Sequence, residues 1–523
     1  GPALLSRLAA GERPAASWLA LPGRATEGDW PGAIAEAVAA TRRSGRGSVV
    51  VVPDQRDLAA VSAALDRVLG HDAHVQLSAE HGPSVRYTAW LSLLRGHHNV
   101  VVGTRSAAYA PVQRPGLFVL WDELDDLHRE PRTPYPHVRE VLRIRAADTG
   151  AGVLLGGFVR SVETARALTE GRVRSVHAAT DVVRAAMPAI SVAGEGHEMS
   201  RDGAAHAARL PSQAWRAIST GLGHGSVLVQ VPRRGYLLAL SCARCRHRLH
   251  CATCQGPVQL DGPDDAPRCA WCGAAWGETP CPECASTTRR SGVIGERRTA
   301  YEIGRAFPGV EVRSSTAGQI LPAVTGERII VVATPGAEPV AYGGYATTVL
   351  MDGWALADRA GLDSPLEALR RWTAAAALTR GRSQGGQVVL VGVPAHGGVR
   401  SVEALLRWDP AYLADSELTE RQELGLPPLR RMASFTGDLA ALRRVSDDAR
   451  RGSDVKPAPI EVLGPLRQKS GGSQLLVRTA TGNPSSSDEH LLLDFVRQVR
   501  VQRSMSKATD SMRIRVDPLD SAL

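Results

Sequence analysis

The sequence predicts an α/β protein: two lobes on parallel sheets, a cysteine-rich insert in the second, and a smaller α+β domain at the end. Three observations carry this prediction. Short apolar runs (Ser48–Val52, Val100–Val102, Leu117–Leu120 and Val153–Leu155) alternate with helical patterns such as Leu58–Leu69. Runs that are apolar at every position suit strands covered by helices on both faces, as in a parallel sheet. The pattern resumes at Val227–Val231, Ile329–Val332, Thr347–Met351 and Val388–Val391, after an interruption that holds every cysteine of the chain. From about Leu405 the character changes again, through Glu423-Leu-Gly-Leu-Pro-Pro428 and a polar loop at Thr481–Asp488.

Boundaries follow from these shifts. Residues 1–22 read as the tail of a preceding domain, 23–180 as the first lobe and 181–215 as a linker. Residues 216–404 form the second lobe around the insert 241–288, and 405–523 form the C-terminal domain. No clear period runs through residues 172–215, which therefore read as a connection. A chain of 523 residues is long enough for several domains with cores of their own.

Composition narrows the partners. With 62 basic against 53 acidic residues the net charge is +9, which favours an acidic partner, nucleic acid first. A merely basic surface is the bland alternative. The basic residues are nearly all arginine, since the first lysine is Lys456 and only Lys469 and Lys507 follow. No apolar run approaches a membrane span and no signal peptide opens the chain, so a reduced, cytoplasmic setting without a membrane partner is expected. The chain opens on Gly1-Pro2 without methionine, as a fragment would.

All eight cysteines form C-x-x-C pairs: Cys242/Cys245, Cys251/Cys254, Cys269/Cys272 and Cys281/Cys284. Each knuckle turns two thiolates toward one point, and a closed structural zinc site takes four. Eight thiolates thus make two Cys₄ sites. Disulfides would need an oxidising compartment, and packed pairs suit metal better than thiol exchange. Knuckles can pair as neighbours, crosswise or nested, and the spacing does not choose. His247 and His250 lie between knuckles and read as surface residues. A closed Cys₄ site has no open position for water, so it supplies folding energy rather than catalysis.

The cysteine spacing, Arg233-Arg-Gly-Tyr236 before it and Phe307-Pro-Gly-Val310 after it resemble the PriA replication-restart family (primosomal protein N′) of superfamily 2 DNA helicases. Further matches follow the family's order: Val52-Pro53, Val102-Gly-Thr-Arg-Ser106, Asp122-Glu123, Leu463-Gly-Pro465 and Val516-Asp-Pro518. The resemblance covers nearly the whole chain apart from the family's N-terminal DNA-binding region. It implies two RecA-like lobes and a nested cysteine pairing. Cys242, Cys245, Cys281 and Cys284 would hold one zinc; Cys251, Cys254, Cys269 and Cys272 would hold the other.

The resemblance also implies ATP and Mg²⁺, but the motifs for them depart from the family. A working P-loop reads G-x-x-x-x-G-K-[ST], its lysine neutralising phosphates and its hydroxyl holding Mg²⁺. Here Gly23 and Gly28 keep the glycine frame, while Asp29 and Trp30 stand at the lysine and hydroxyl positions. Asp122 and Glu123 match the metal-binding and water-activating residues of the D-E-x-H box, whose histidine is replaced by Asp125. A carboxylate cluster with Asp126 would suit a metal-dependent nuclease, although a solvated strand end is the plainer reading. The coupling segment G-S-A-T-P reads Gly156-Gly-Phe-Val-Arg160, and G-T-Q reads Ala333-Thr-Pro335. The arginine-finger box is reduced to Leu378-Thr-Arg-Gly-Arg382, leaving Arg382 and Arg380.

Gly221-Leu-Gly-His-Gly225 precedes its strand and reads as a tight turn rather than a dinucleotide loop. Arg289-Arg290 and Arg297-Arg298 are either phosphate contacts or solvated charge. The expected function is replication restart: binding forked or single-stranded DNA, with a helicase fold and no helicase activity. Primosome proteins, single-strand-binding protein and the replicative helicase loader are the implied partners. Two alternatives stand beside it, an active ATP-dependent 3′→5′ helicase and a zinc-platform adaptor that docks other proteins.

Overall fold

The structure, a computed structural model, describes residues 1–23, 29–193, 210–232, 238–244, 249–254, 256–260, 266–269, 273–277, 279–291, 296–325, 328–357, 361–393, 398–451, 460–467, 472–479 and 486–517. Gly28, Arg233–Tyr236, Cys245, His247, Cys272, Lys456, Lys469, Pro518 and the start of the expected Thr481–Asp488 loop lie outside these residues. The chain divides into two compact units, residues 1–359 with 364–413, and 360–363 with 414–523.

The first unit contains both lobes. Its first sheet has seven strands in the order Val75–Leu77, Val100–Gly103, Gly47–Val51, Pro115–Trp121, Gly152–Gly157, Ala15–Leu19 and Arg174–Val176, all parallel. Alternate residues of the central strands serve opposite faces, as a period of two requires. Val50, Val119 and Trp121 pack on one side, and Val49, Val51, Phe118 and Leu120 on the other. Gly103 is dictated by this packing, because a Cβ there would lie 2.2 Å from the Leu77 carbonyl oxygen.

The second sheet is again parallel, in the order Glu311–Ser315, Ile329–Ala333, Val227–Gln230, Thr347–Leu350, Gln387–Leu390 and Ala189–Val192. Between Val227–Gln230 and the helix Glu296–Ala306 stands the cysteine module. It is a small antiparallel sheet in the order Arg268–Cys269, Val258–Leu260, Leu238–Cys242 and Arg289–Ser291. Its entering and leaving strands pair with each other, Cys242 opposite Arg289. The α/β class and the two parallel sheets expected of helicase-type lobes are therefore present.

Two sequence expectations need correction. Residues 1–22 are no tail: the helix Pro2–Ala9 packs Leu8 into the first lobe's core, and Ala15–Leu19 is an internal strand between two parallel neighbours. Residues 172–215 are no plain connection either. They contain the strands Arg174–Val176 and Ala189–Val192, which join different sheets, and the helix Thr180–Ala186 between them.

The second unit follows a β-α-β-β-α-β path: Met432–Gly437, Leu439–Arg451, Ile460–Arg467, Ser473–Thr479, Ser486–Met505 and Met512–Val516. The strands form an antiparallel sheet whose one face, through Ala433, Phe435, Leu475 and Val477, packs on helix residues Leu442, Val445, Leu492 and Phe495. This is a split βαβ arrangement. Ser486, expected in a loop, begins the last helix. Asp517 of the Val516-Asp517 match accepts the Met432 amide at 3.0 Å and pairs with Arg431 at 2.8 Å, tying the last strand to the first. Among the described residues, no helix is long and apolar enough to cross a membrane.

Candidate nucleotide and metal sites

Directly after the expected P-loop residues 24–28, which lie outside those described, the chain builds a helix start and an aromatic cluster. Asp29 is the N-cap of the helix Trp30–Arg43, its Oδ1 accepting the Gly32 amide at 3.0 Å. A carboxylate suits this place because the first amides of a helix lack intrahelical partners. Trp30 is buried, and its ring stacks on Trp121 with centroids 4.1 Å apart and planes 5° from parallel. Trp121 ends the strand that leads to the acidic box, and it also meets Trp18 at 5.6 Å and Phe158 at 5.5 Å. Phe158 belongs to the segment that replaces G-S-A-T-P. The Gly23 amide donates to the Ala377 carbonyl oxygen of the second lobe at 3.0 Å.

The acidic box is not a solvated strand end. Asp122, at positive φ (54°), turns its carboxylate onto Arg370, Oδ2 to Nη1 at 2.6 Å, and Asp125 Oδ2 reaches the same nitrogen at 2.9 Å. Glu367 accepts the rest of the fork, from Nε at 2.7 Å and Nη2 at 3.1 Å, and also takes Arg371 Nε at 2.7 Å. Arg370 is therefore fully engaged while only 4% of its side chain is exposed. Burial pushes the Asp122 carboxyl up to about 6 despite the opposing Arg370 charge. Burial works against ionisation of Asp125 too, but the Arg370 and Arg371 charges and the Leu127 amide hold its carboxyl below the usual range. Asp126, the third member of the expected cluster, points outward with its side chain 85% exposed.

Glu123 goes the other way, into the lobe. Its two oxygens accept the Ser161 amide at 2.9 Å and the Thr164 hydroxyl at 2.7 Å, with Arg139 at 3.6 Å. Ser161 caps the helix Val162–Thr169, so this buried carboxylate finishes a helix start. Both oxygens of Glu123 thus already accept hydrogen bonds from the first lobe itself. Arg380 binds backbone, donating to the Gly343 and His224 carbonyl oxygens at 3.0 and 2.9 Å. Arg382 opens an exposed 3₁₀ turn, Arg382–Gln384. Gly23 and Arg380 line one cavity of about 220 Å³ with Gly343, Thr379 and Gly381. Asp122 and Glu123 do not line that cavity.

Sequence reasoning missed Arg370 and Glu367, whose signal is the i, i+3 spacing of opposite charges on a helix otherwise lined with apolar residues. It also missed His128. That ring is buried, donates from Nε2 to the Trp121 carbonyl oxygen at 2.8 Å, and has its pKa lowered to about 4 by burial. The folded lobe then binds fewer protons here than the unfolded chain. The stability this group contributes is complete above pH 6.5 and is lost as pH falls toward 4, a difference of about 3 kcal/mol. Replacing His128 with Gln, which keeps a donor for Trp121, is expected to flatten that part of the loss in urea unfolding measured from pH 7 to 4.

In the module, the described cysteines fall into two groups: Cys242 with Cys281 and Cys284, and Cys251 with Cys254 and Cys269. Sulfur separations are 3.5 Å for Cys242–Cys284 and 3.4 Å for Cys254–Cys269. Disulfide sulfurs lie about 2.0 Å apart. Thiolates around a tetrahedral zinc at about 2.3 Å stand roughly 3.8 Å from one another, so the donor set fits such an ion. Amides of Arg244 and Thr253 point at Cys242 and Cys251, both at 3.4 Å, as suits thiolate ligands. Arg289 lies over the Trp276 ring at 4.5 Å, while Arg298 makes an exposed pair with Glu302 at 3.0 Å on the helix surface.

Residues 422–519 match the family model described as the primosomal protein N C-terminal domain. A protein of Mycobacterium leprae described as "Probable replication restart protein PriA" is 41% identical, across 99% of this chain and 79% of that protein. A Mycobacterium tuberculosis protein of the same description is 38% identical over 99% and 80%. The "Replication restart protein PriA" of Treponema pallidum is 28% identical over 82% and 66%. Among solved structures, RecG bound to a three-way DNA junction is similar at TM-score 0.41 with 9% identity, covering 79% of this chain and 47% of that one. The helicase MrfA bound to DNA and AMPPNP reaches 0.42 with 10% identity, covering 79% and 50%.

Proposed function

The chain belongs to the PriA family of replication restart proteins, and from that premise we propose that it binds DNA at stalled forks without turning over ATP. The observation that supports this reading is that Trp30 stacks on Trp121 and Arg370 pairs with Asp122 and Asp125, residues that the resemblance assigns to nucleotide and metal. Phosphoryl transfer depends on positioning and charge neutralisation by lysine, Mg²⁺ and arginine. Here a capping aspartate stands for the lysine and a buried indole for the hydroxyl. On this reading Gly23, Asp122 and Glu123 are remnants of the ATPase motifs that now serve the fold.

The module is read as two structural zinc sites, with Cys245 completing the group of Cys242, Cys281 and Cys284, and Cys272 completing that of Cys251, Cys254 and Cys269. Bound zinc would supply folding energy to a segment whose apolar core is small, chiefly Leu240, Leu249 and Val258. DNA contact is ascribed to arginine and phosphate, on the support of the +9 charge and the family. Other replication proteins are the further partners this reading implies.

The test pairs binding with turnover on forked DNA. Affinity is expected to fall by about 0.9 log units per log unit of salt for each duplex phosphate neutralised. Phosphate release is expected to stay at background. Salt-independent binding would favour the adaptor. DNA-stimulated release that an Asp122→Ala, Glu123→Ala double mutant abolishes would restore the helicase.

A further inference from the structure

Among the described residues, hydrogen bonds at three places join the lobes of the first unit, beside a longer Arg371–Asp126 pair at 3.9 Å, and all are made by the chain itself. Arg370 rises from the helix Ser364–Ala376 of the second lobe into the carboxylates of Asp122 and Asp125, at the end of a central strand of the first. Arg56, at the start of the helix Gln55–Leu69 in the first lobe, directs its guanidinium to the Gly336 carbonyl oxygen and to that of Glu338 at 3.2 Å. The Gly23 amide meets the Ala377 carbonyl oxygen. We propose that these contacts form a permanent clasp, in which Arg370 occupies the place of a divalent cation and holds the lobes in one arrangement.

The physical case rests on what opening would give up. Arg370 makes charge-assisted hydrogen bonds to carboxylates of both lobes, and such bonds are roughly twice as strong as neutral ones. If the lobes part, Arg370 keeps only Glu367, which Arg371 already shares, and the two aspartates lose their cation. A closure driven by nucleotide weakens as the ligand is diluted, whereas a closure driven by the chain's own cation does not depend on any concentration. Guanidinium is also the right group for the task, being permanently charged and able to satisfy three carboxylates from one planar fork. The inference rests on the reading that ATP turnover has been lost, because a lobe pair that cycles cannot also be fastened.

Hydrogen exchange followed by mass spectrometry on the full chain tests it. Without nucleotide, Arg370→Ala is expected to speed exchange at least tenfold in peptides covering both 117–128 and 364–376. Peptides covering 432–437 and 473–479, which have a core of their own in the second unit, should not change. Arg370→Lys should fall between. Faster exchange in 364–376 alone would make Arg370 a stabiliser of its own helix and overturn the clasp, as would no change in either peptide. Should Arg370→Ala fail to fold, Asp125→Asn removes one acceptor and should loosen the same two peptides to a smaller degree; unchanged exchange there also overturns the proposal. Phosphate release from ATP·Mg²⁺ by the wild type on forked DNA decides the separate question of turnover, for DNA-stimulated release would sink the loss-of-turnover reading whatever the variant does.

Discussion

Rebuilding the P-loop by Asp29→Lys with Trp30→Thr is expected to destabilise the first lobe by about 4–6 kcal/mol and to yield no ATP turnover. The larger part comes from Trp30, a fully buried indole stacked face to face on Trp121, whose removal opens a cavity beneath the central strands. Loss of a helix cap adds about 1 kcal/mol, because the Gly32 amide would be left without its acceptor. A lysine at position 29 would also place its charge at the positive end of the helix dipole. Turnover would still lack a free metal site, since Arg370 remains on Asp122 and Asp125. Urea unfolding followed by tryptophan fluorescence measures the first effect and phosphate release the second. A variant as stable as the wild type that hydrolyses ATP on adding DNA would show that the position is an open cradle.

Cys251→Ser is expected to release one of two metal ions, and chelation of both to unfold the module while the lobes persist. Structural zinc in small domains binds with about 10–16 kcal/mol of apparent free energy, which in such segments is folding free energy. Among its described residues the module has little other core than Leu240, Leu249 and Val258 with Leu260 and Trp276 against them. The lobes have extensive cores of their own and need no metal to keep them. Elemental analysis should fall from about two zinc ions per chain to about one. Loss of both ions from this single change would mean that the two groups fold as one unit, and retention of both would remove Cys251 from the ligands.

Much of the fold could be read in the sequence because parallel strands write themselves as continuous apolar runs. Gly47–Val51, Pro115–Trp121 and Ile329–Ala333 fall within two residues of where those runs lie. What escaped notice were short or polar strands. Ala15–Leu19 carries Ser17 and Trp18 within a five-residue strand, and Glu311–Ser315 alternates charge with small groups, so neither stands out from a loop. Their strand character comes from parallel neighbours that are distant in sequence, and no local pattern records it. The candidate site divides in the same way. That Asp29 and Trp30 stand where the resemblance expects a lysine and a hydroxyl is visible in the letters alone. Their new employment is not, because it depends on Trp121, ninety-odd residues away, and on Arg370 from the other lobe.

The pairing of the module's first and last strands bears on how the insert came to be tolerated. Since Cys242 lies opposite Arg289, the chain leaves the second lobe and returns to it at nearly the same point. An insertion whose ends already touch imposes no stretch on its host, and the entropy of closing the loop between them grows only with the logarithm of its length. Material can thus be gained or lost between the knuckles without shifting the register of Val227–Gln230 against Ile329–Ala333. The stem uncouples the two parts: a change in the module's length or surface leaves the geometry of the sheet beneath it in place.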